Sequence, residues 1–200
     1  MAAAVTPAKR GATPESGLPR SVRLVRVIVL LLGGVAITFS ATLHEHLGFD
    51  LALATCAIAG IGLAHLIEWF AGRTVGAGPV AMLLALASFG AAFALPFQGS
   101  AIGFAVVVAA WALICALLEY IGSTVRPGTR PDAVLIGAAG ILLALLAILM
   151  REDEVAVVGL LGAYAVIAGV FLGISAFDIR RGGTPDIEHS GDQRAEGLAS

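Results

Sequence analysis

Charge is the scarcest commodity in this chain. Of its 200 residues only 13% are Asp, Glu, Lys or Arg, about half of the roughly 25% found in a water-soluble domain. A soluble fold has too much surface to leave so little of it charged, so water is excluded as the solvent for most of the chain. Lysine is nearly missing: Lys9 is the single one among 12 basic residues. With a net charge of −2 and scattered arginines there is no basic patch, and nucleic acid is excluded as a partner. Cysteine is limited to Cys56 and Cys115, both inside apolar runs and without a CxxC. That excludes a disulfide framework and a thiolate metal centre, and predicts two small packing residues.

Catalytic signatures are missing too. There is no GxSxG, Walker loop, HExxH or paired-aspartate motif. His65-x-x-Glu68 has the spacing of one di-iron ligand pair, but such a site needs a second pair and two further glutamates. No enzyme, resident metal or cofactor is expected.

What is present in excess is apolar sequence, at 58% of residues. Crossing about 30 Å of hydrocarbon at 1.5 Å per residue takes about twenty residues. Six windows qualify, roughly 22–40, 49–71, 79–97, 101–122, 132–150 and 154–177. Their separators are short and hold the breakers and charges: ATLHEHLGFD, AGRTVGAGP, FQGS, GSTVRPGTRPD and REDE. A β-barrel is excluded, because its strands alternate polar and apolar over about ten residues. The expected fold is an all-α integral membrane protein, with a six-helix membrane domain over 22–181 between disordered tails at 1–21 and 182–200.

The basic residues set the expected direction. Lys9, Arg10, Arg20, Arg23 and Arg26 flank or open the first span, Arg73 lies in the second connection, and Arg126 and Arg130 in the fourth. Arg180, Arg181 and Arg194 lie in the last tail. The first, third and fifth connections together hold only Arg151, followed by Glu152, Asp153 and Glu154. Both termini are therefore expected in the cytoplasm, and the acidic run reads as a solvated outer turn. The first apolar stretch is longer than a signal-peptide core and no small-x-small cleavage site follows it, so it is expected to stay. Arginine in place of lysine, with abundant Ala and Gly, points to a GC-rich bacterial source.

Two segments break the apolar pattern in the same way. HLIEWFAG and ALLEYIGS each place a glutamate, Glu68 and Glu119, just before an aromatic at the close of a span. Aligned with GISAFDIR they put Trp69, Tyr120 and Phe177 in register, while the glutamate position becomes Ala176. Gly34, Gly90 and Gly140 also fall into register. Three tandem hairpins follow, at about 22–72, 78–123 and 131–181, all in one orientation because each holds two spans.

Six short spans, three tandem hairpins and the segment GAAFALPFQGSAIGFAVVVAAWALICALLEYIGS, with Pro96 at its turn, resemble the HdeD-type bacterial membrane proteins. The resemblance implies a multi-pass protein of the bacterial inner membrane, without a catalytic site, linked to acid and envelope stress. The third unit departs from it by lacking both the turn proline and the closing glutamate.

Small residues mark faces where helices approach closely in lipid. On the second span Ala52, Cys56, Gly60 and Ala64 lead at four-residue steps to Glu68. On the fourth, Ala105, Ala109, Ala112 and Ala116 lead to Glu119, and on the sixth Gly162, Ala165, Gly169 and Gly173 lead to Ala176. Both glutamates are therefore expected to point into the bundle. The same faces suit packing between chains, which leaves a homo-oligomer open alongside the lipid bilayer as a partner. Two roles compete for the glutamates. In one, each pairs with an arginine or with water while Trp69 and Tyr120 join the interfacial aromatic belt. In the other, Glu68, Glu119 and His65 form a proton or cation site. His44, Glu45 and His46 in the first outer loop lack further ligands for a metal and read as a solvated loop.

Overall fold

The computed structural model describes residues 19–40, 46–73, 79–125 and 130–178. Among these residues the regular structure is helical throughout. It comprises α1 (Arg20–Phe39), α2 (Leu47–Gly72), α3 (Val80–Ala94), α4 (Ala101–Val125), α5 (Arg130–Leu149) and α6 (Glu154–Asp178). All six are long and apolar enough to cross a membrane once the 3-10 turn Leu95–Phe97 is counted with α3. The expected tails up to residue 18 and from 179 onward lie outside the described residues, as do His44, Glu45 and Arg126. At the amino end the expected boundary moves: Arg20 and Ser21 already belong to α1.

Local chemistry sets the helix limits. Pro96 has no N–H to continue the ladder, and α3 tightens there into the 3-10 turn. Gln98 Nε2 then donates to the Ala94 carbonyl at 3.0 Å, satisfying one of the groups freed at that end. Ser100 Oγ accepts the Gly103 N–H at 3.1 Å and so caps α4. Asp153 Oδ1 accepts the Ala156 N–H at 2.9 Å. Glu152 and Asp153 of the acidic run are exposed and Glu154 is half-buried, yet the run is more than a solvated turn, because Asp153 starts α6.

The helices form a closed ring in chain order, with α1 returning to pack on α6. The most extensive packing is α4 on α5, α1 on α6 and α2 on α3, ahead of α1 on α2, α3 on α4 and α5 on α6. Each helix is thus bound more closely to its neighbour across a hairpin boundary than to its own hairpin partner. The outward surface is apolar: Leu32, Phe93 and Leu145 are 64%, 73% and 65% exposed. Inside lie Ile58, Leu95, Phe104, Val108, Val157, Val158 and Leu161, all fully buried.

Glycines set the closest crossing. A methyl group on Gly34 of α1 would sit 2.6 Å from Val166 Cγ2 and 2.9 Å from the Gly162 carbonyl oxygen of α6. Gly169 meets Leu31 and Gly173 meets Val27 on the same seam, so the GxxxG pair of α6 serves contact with α1. Ala109, Ala112 and Ala116 are buried on α4, and Gly140 of α5 approaches Ala112 and Ala116. On α2 the small-residue stripe divides. Ala64 is buried and Gly60 touches Val29 of α1, whereas Ala52 and Cys56 are exposed. The buried face there is instead Leu51, Ala54, Ile58, Ile61 and His65. A strict four-residue step drifts around a helix of 3.6 residues per turn, so a stripe begun outside ends inside. Cys56 is consequently no interior packing residue, while Cys115 is. Gly90, aligned with Gly34 and Gly140 in the sequence, makes no comparable close approach: nothing lies within 4 Å of where its side chain would be.

Candidate functional site

The polar residues gather at the end of the bundle where α1, α3 and α5 begin and α2, α4 and α6 finish. At its centre is Arg26, on the second turn of α1. The guanidinium donates through Nη2 to Glu119 Oε1 of α4, and Nη1 lies 3.9 Å from Glu68 Oε2 of α2. Side-chain exposure is 15% for Arg26, 18% for Glu68 and 13% for Glu119. One permanent cation therefore ties three helices through two carboxylates. Removing such charges from water is costly unless they are paired and hydrogen-bonded, and a planar fork of five donors meets that need better than an ammonium.

His65 stands one turn before Glu68 with its side chain 3% exposed, and its Nδ1 lies 3.7 Å from Glu68 Oε2. That distance is beyond hydrogen-bonding range. Nδ1 and Arg26 Nε make no hydrogen bond among the described residues. The structure thus brings together Glu68, Glu119 and His65, the three residues the sequence singled out, and adds Arg26, which sequence reasoning placed with the basic flank that sets orientation. The available signal was position. Arg26 precedes Val27, Ile28 and Val29 without a break, one turn deeper than the other basic residues.

A cavity of about 290 Å³ adjoins this cluster, and all six helices contribute to its lining. Arg23 and Arg26 come from α1, Glu68 from α2, Leu84 from α3, Glu119 and Ser123 from α4, Asp132 from α5 and Ser175 from α6. Ser175 Oγ donates to Asp132 Oδ2. The sixth span has Ala176 where the other even spans have glutamate, so here the carboxylate arrives from α5. Sequence reasoning missed Asp132, which looked like part of a connection. At the rim, Arg73 stacks over Trp69 at 4.4 Å and Arg20 over Phe177 at 4.7 Å.

Deeper in the bundle the polar groups are few and local. Trp111 Nε1 donates to Ser88 Oγ at 3.1 Å, and Ser88 donates onward to the Leu84 carbonyl at 2.9 Å. Asp50 is buried at the far end of α2, about 22 Å from His65 at 1.5 Å per residue. Ala54, Ile58 and Ile61 are buried in that interval and share one apolar core with Phe104, Val108 and Leu161. Among the described residues no group of three or more His, Cys, Asp and Glu is placed to hold a metal ion. His46 is exposed at the start of α2 and caps nothing with its side chain.

No family model, curated protein or solved structure matches the chain. The likeness to the HdeD-type proteins therefore rests on the residue pattern alone.

Proposed function

We propose that the chain is a non-enzymatic multi-pass protein of a bacterial inner membrane, resembling the HdeD-type proteins and acting in acid or envelope stress. Its polar cluster is a clamp that fixes α1 against α2 and α4. The observation that carries the clamp role is Arg26, whose guanidinium occupies both glutamates at once. The three-hairpin repeat is supported by the packing order, since α2 on α3, α4 on α5 and α6 on α1 are equivalent steps between successive units. Cytoplasmic placement of both termini is supported by the arginine distribution and by Arg20 and Arg73 at one rim, each stacked on an aromatic.

The alternative is a small transporter or proton/cation conductor using Glu68, Glu119 and His65, and the cavity lined by the two glutamates favours it. Against it stands the apolar core that separates His65 from Asp50, with Ala54, Ile58 and Ile61 between them on α2. Proteoliposomes loaded with a pH-sensitive dye separate the two. The clamp role expects an imposed proton gradient to decay at the rate of empty vesicles. Faster decay, abolished by Glu68→Gln with Glu119→Gln, establishes the conductor instead. The stress role expects a deletion strain to lose survival under acid shock and to regain it on complementation.

A further inference from the structure

The cavity at the polar end has a composition that the clamp does not require. Beside the clamp a pocket of about 290 Å³ opens at this end of the bundle, at the small end of the range for ligand pockets. The lining carries three carboxylates, Glu68, Glu119 and Asp132, against two guanidiniums, Arg23 and Arg26. Among the described residues one net negative charge is left on its walls. Apart from Ser123 and Ser175, the rest of the lining is apolar, with Leu83, Leu84, Ile121, Ile136 and Leu172 as its large side chains.

We propose that this cavity binds a small organic cation with an apolar body. The positive end is held by the excess carboxylate charge and the body lies against the leucine and isoleucine walls. Each feature selects for one part of that description. Net negative charge in a poorly solvated site attracts a cation and repels an anion, and the attraction is stronger than in water. Arg26 is already shared between two carboxylates, which removes it as a receptor for an anion. The apolar walls give nothing to a small, strongly hydrated inorganic ion, and the described residues lack a metal-type donor group. A quaternary ammonium needs no hydrogen-bond donor or acceptor in return, so its desolvation is offset by charge alone.

The test uses the full chain in a neutral maltoside detergent, by equilibrium dialysis with protein-free micelles subtracted. The probes are radiolabelled phenyltrimethylammonium, its neutral isostere tert-butylbenzene and the anion benzenesulfonate. The expected result is saturable binding of the cation, tighter than either of the other two by about tenfold or more. Asp132→Asn should shrink that preference, and Ala133→Leu, which adds bulk to the lining, should remove binding. Equal affinity for the neutral isostere, preference for the anion, or cation binding that survives Ala133→Leu would each overturn the proposal. The comparison among the three probes on the unmodified chain stands even if a variant fails to fold. Proton flux plays no part in this readout, so cation binding and proton conduction succeed or fail separately.

Discussion

Two places hold α1 in the bundle by opposite means. At Arg26 the contact is electrostatic and links three helices through ionised groups taken largely out of water. Two turns further on, at Gly34, it is steric: backbone meets backbone because neither Gly34 nor Gly162 has a side chain. The first contact depends on which charges are present and tolerates small displacements. The second depends on the absence of atoms and tolerates almost none. A lipid-facing helix needs both kinds, since without water there is no general hydrophobic force pressing helices together.

The largest effect is expected from breaking the electrostatic contact. Arg26→Met should leave Glu68 and Glu119 without their shared cation and lower stability by about 3–5 kcal/mol. Unfolding of the purified chain in mixed micelles would measure it. Combining Arg26→Met with Glu68→Gln and Glu119→Gln should recover much of the loss, because the penalty lies in the stranded charges. If the triple variant is as unstable as the single one, the cluster is not a clamp.

The steric contact is next. Gly34→Ala should cost about 1–3 kcal/mol, the usual range for overpacking, since the added methyl meets backbone that cannot rotate away. Gly162→Ala should cost less, as its methyl meets the Ile37 side chain. Gly90→Ala sharpens the contrast: with open space around it, helix propensity alone should make it neutral or stabilising by up to about 1 kcal/mol. Identical losses at Gly34 and Gly90 would show that the seam between α1 and α6 is not formed.

Between the two mechanisms lies the Ser88–Trp111 hydrogen bond joining α3 to α4. Ser88→Ala should cost about 0.6–1.7 kcal/mol, as measured for interhelical bonds in membranes. It should also shift the Trp111 fluorescence, read against a Trp69→Phe background. The smallest effect belongs to the rim. Arg73→Gln removes a stacked cation at an exposed position and should change stability by about 0.5–1 kcal/mol.

The helices were legible because their signal is local. Twenty apolar residues bounded by breakers read as a span whatever their neighbours do, and the six helices match the six windows within a few residues. The inward turn of Glu119 was legible as well, because Ala105, Ala109, Ala112 and Ala116 follow alternating three- and four-residue steps that stay on one face. The α2 stripe misled because its constant four-residue step does not. Arg26 and Asp132 were passed over for a shared reason. Each lies near the end of a span, where a charge normally meets headgroups and water, and their inward direction depends on which helices stand beside them.

The sequence by itself determined the number of helices, their approximate limits and that each is apolar enough to cross a membrane, since those follow from side-chain transfer energies summed along the chain. It also determined that Glu68 and Glu119 recur. Only the tertiary structure decided what the glutamates face. An arginine 93 positions from Glu119 becomes its partner because α1 packs on α6, which in turn touches α4 across the ring. Electrostatic pairing depends on distance in space, and no pattern along one helix encodes the distance to another.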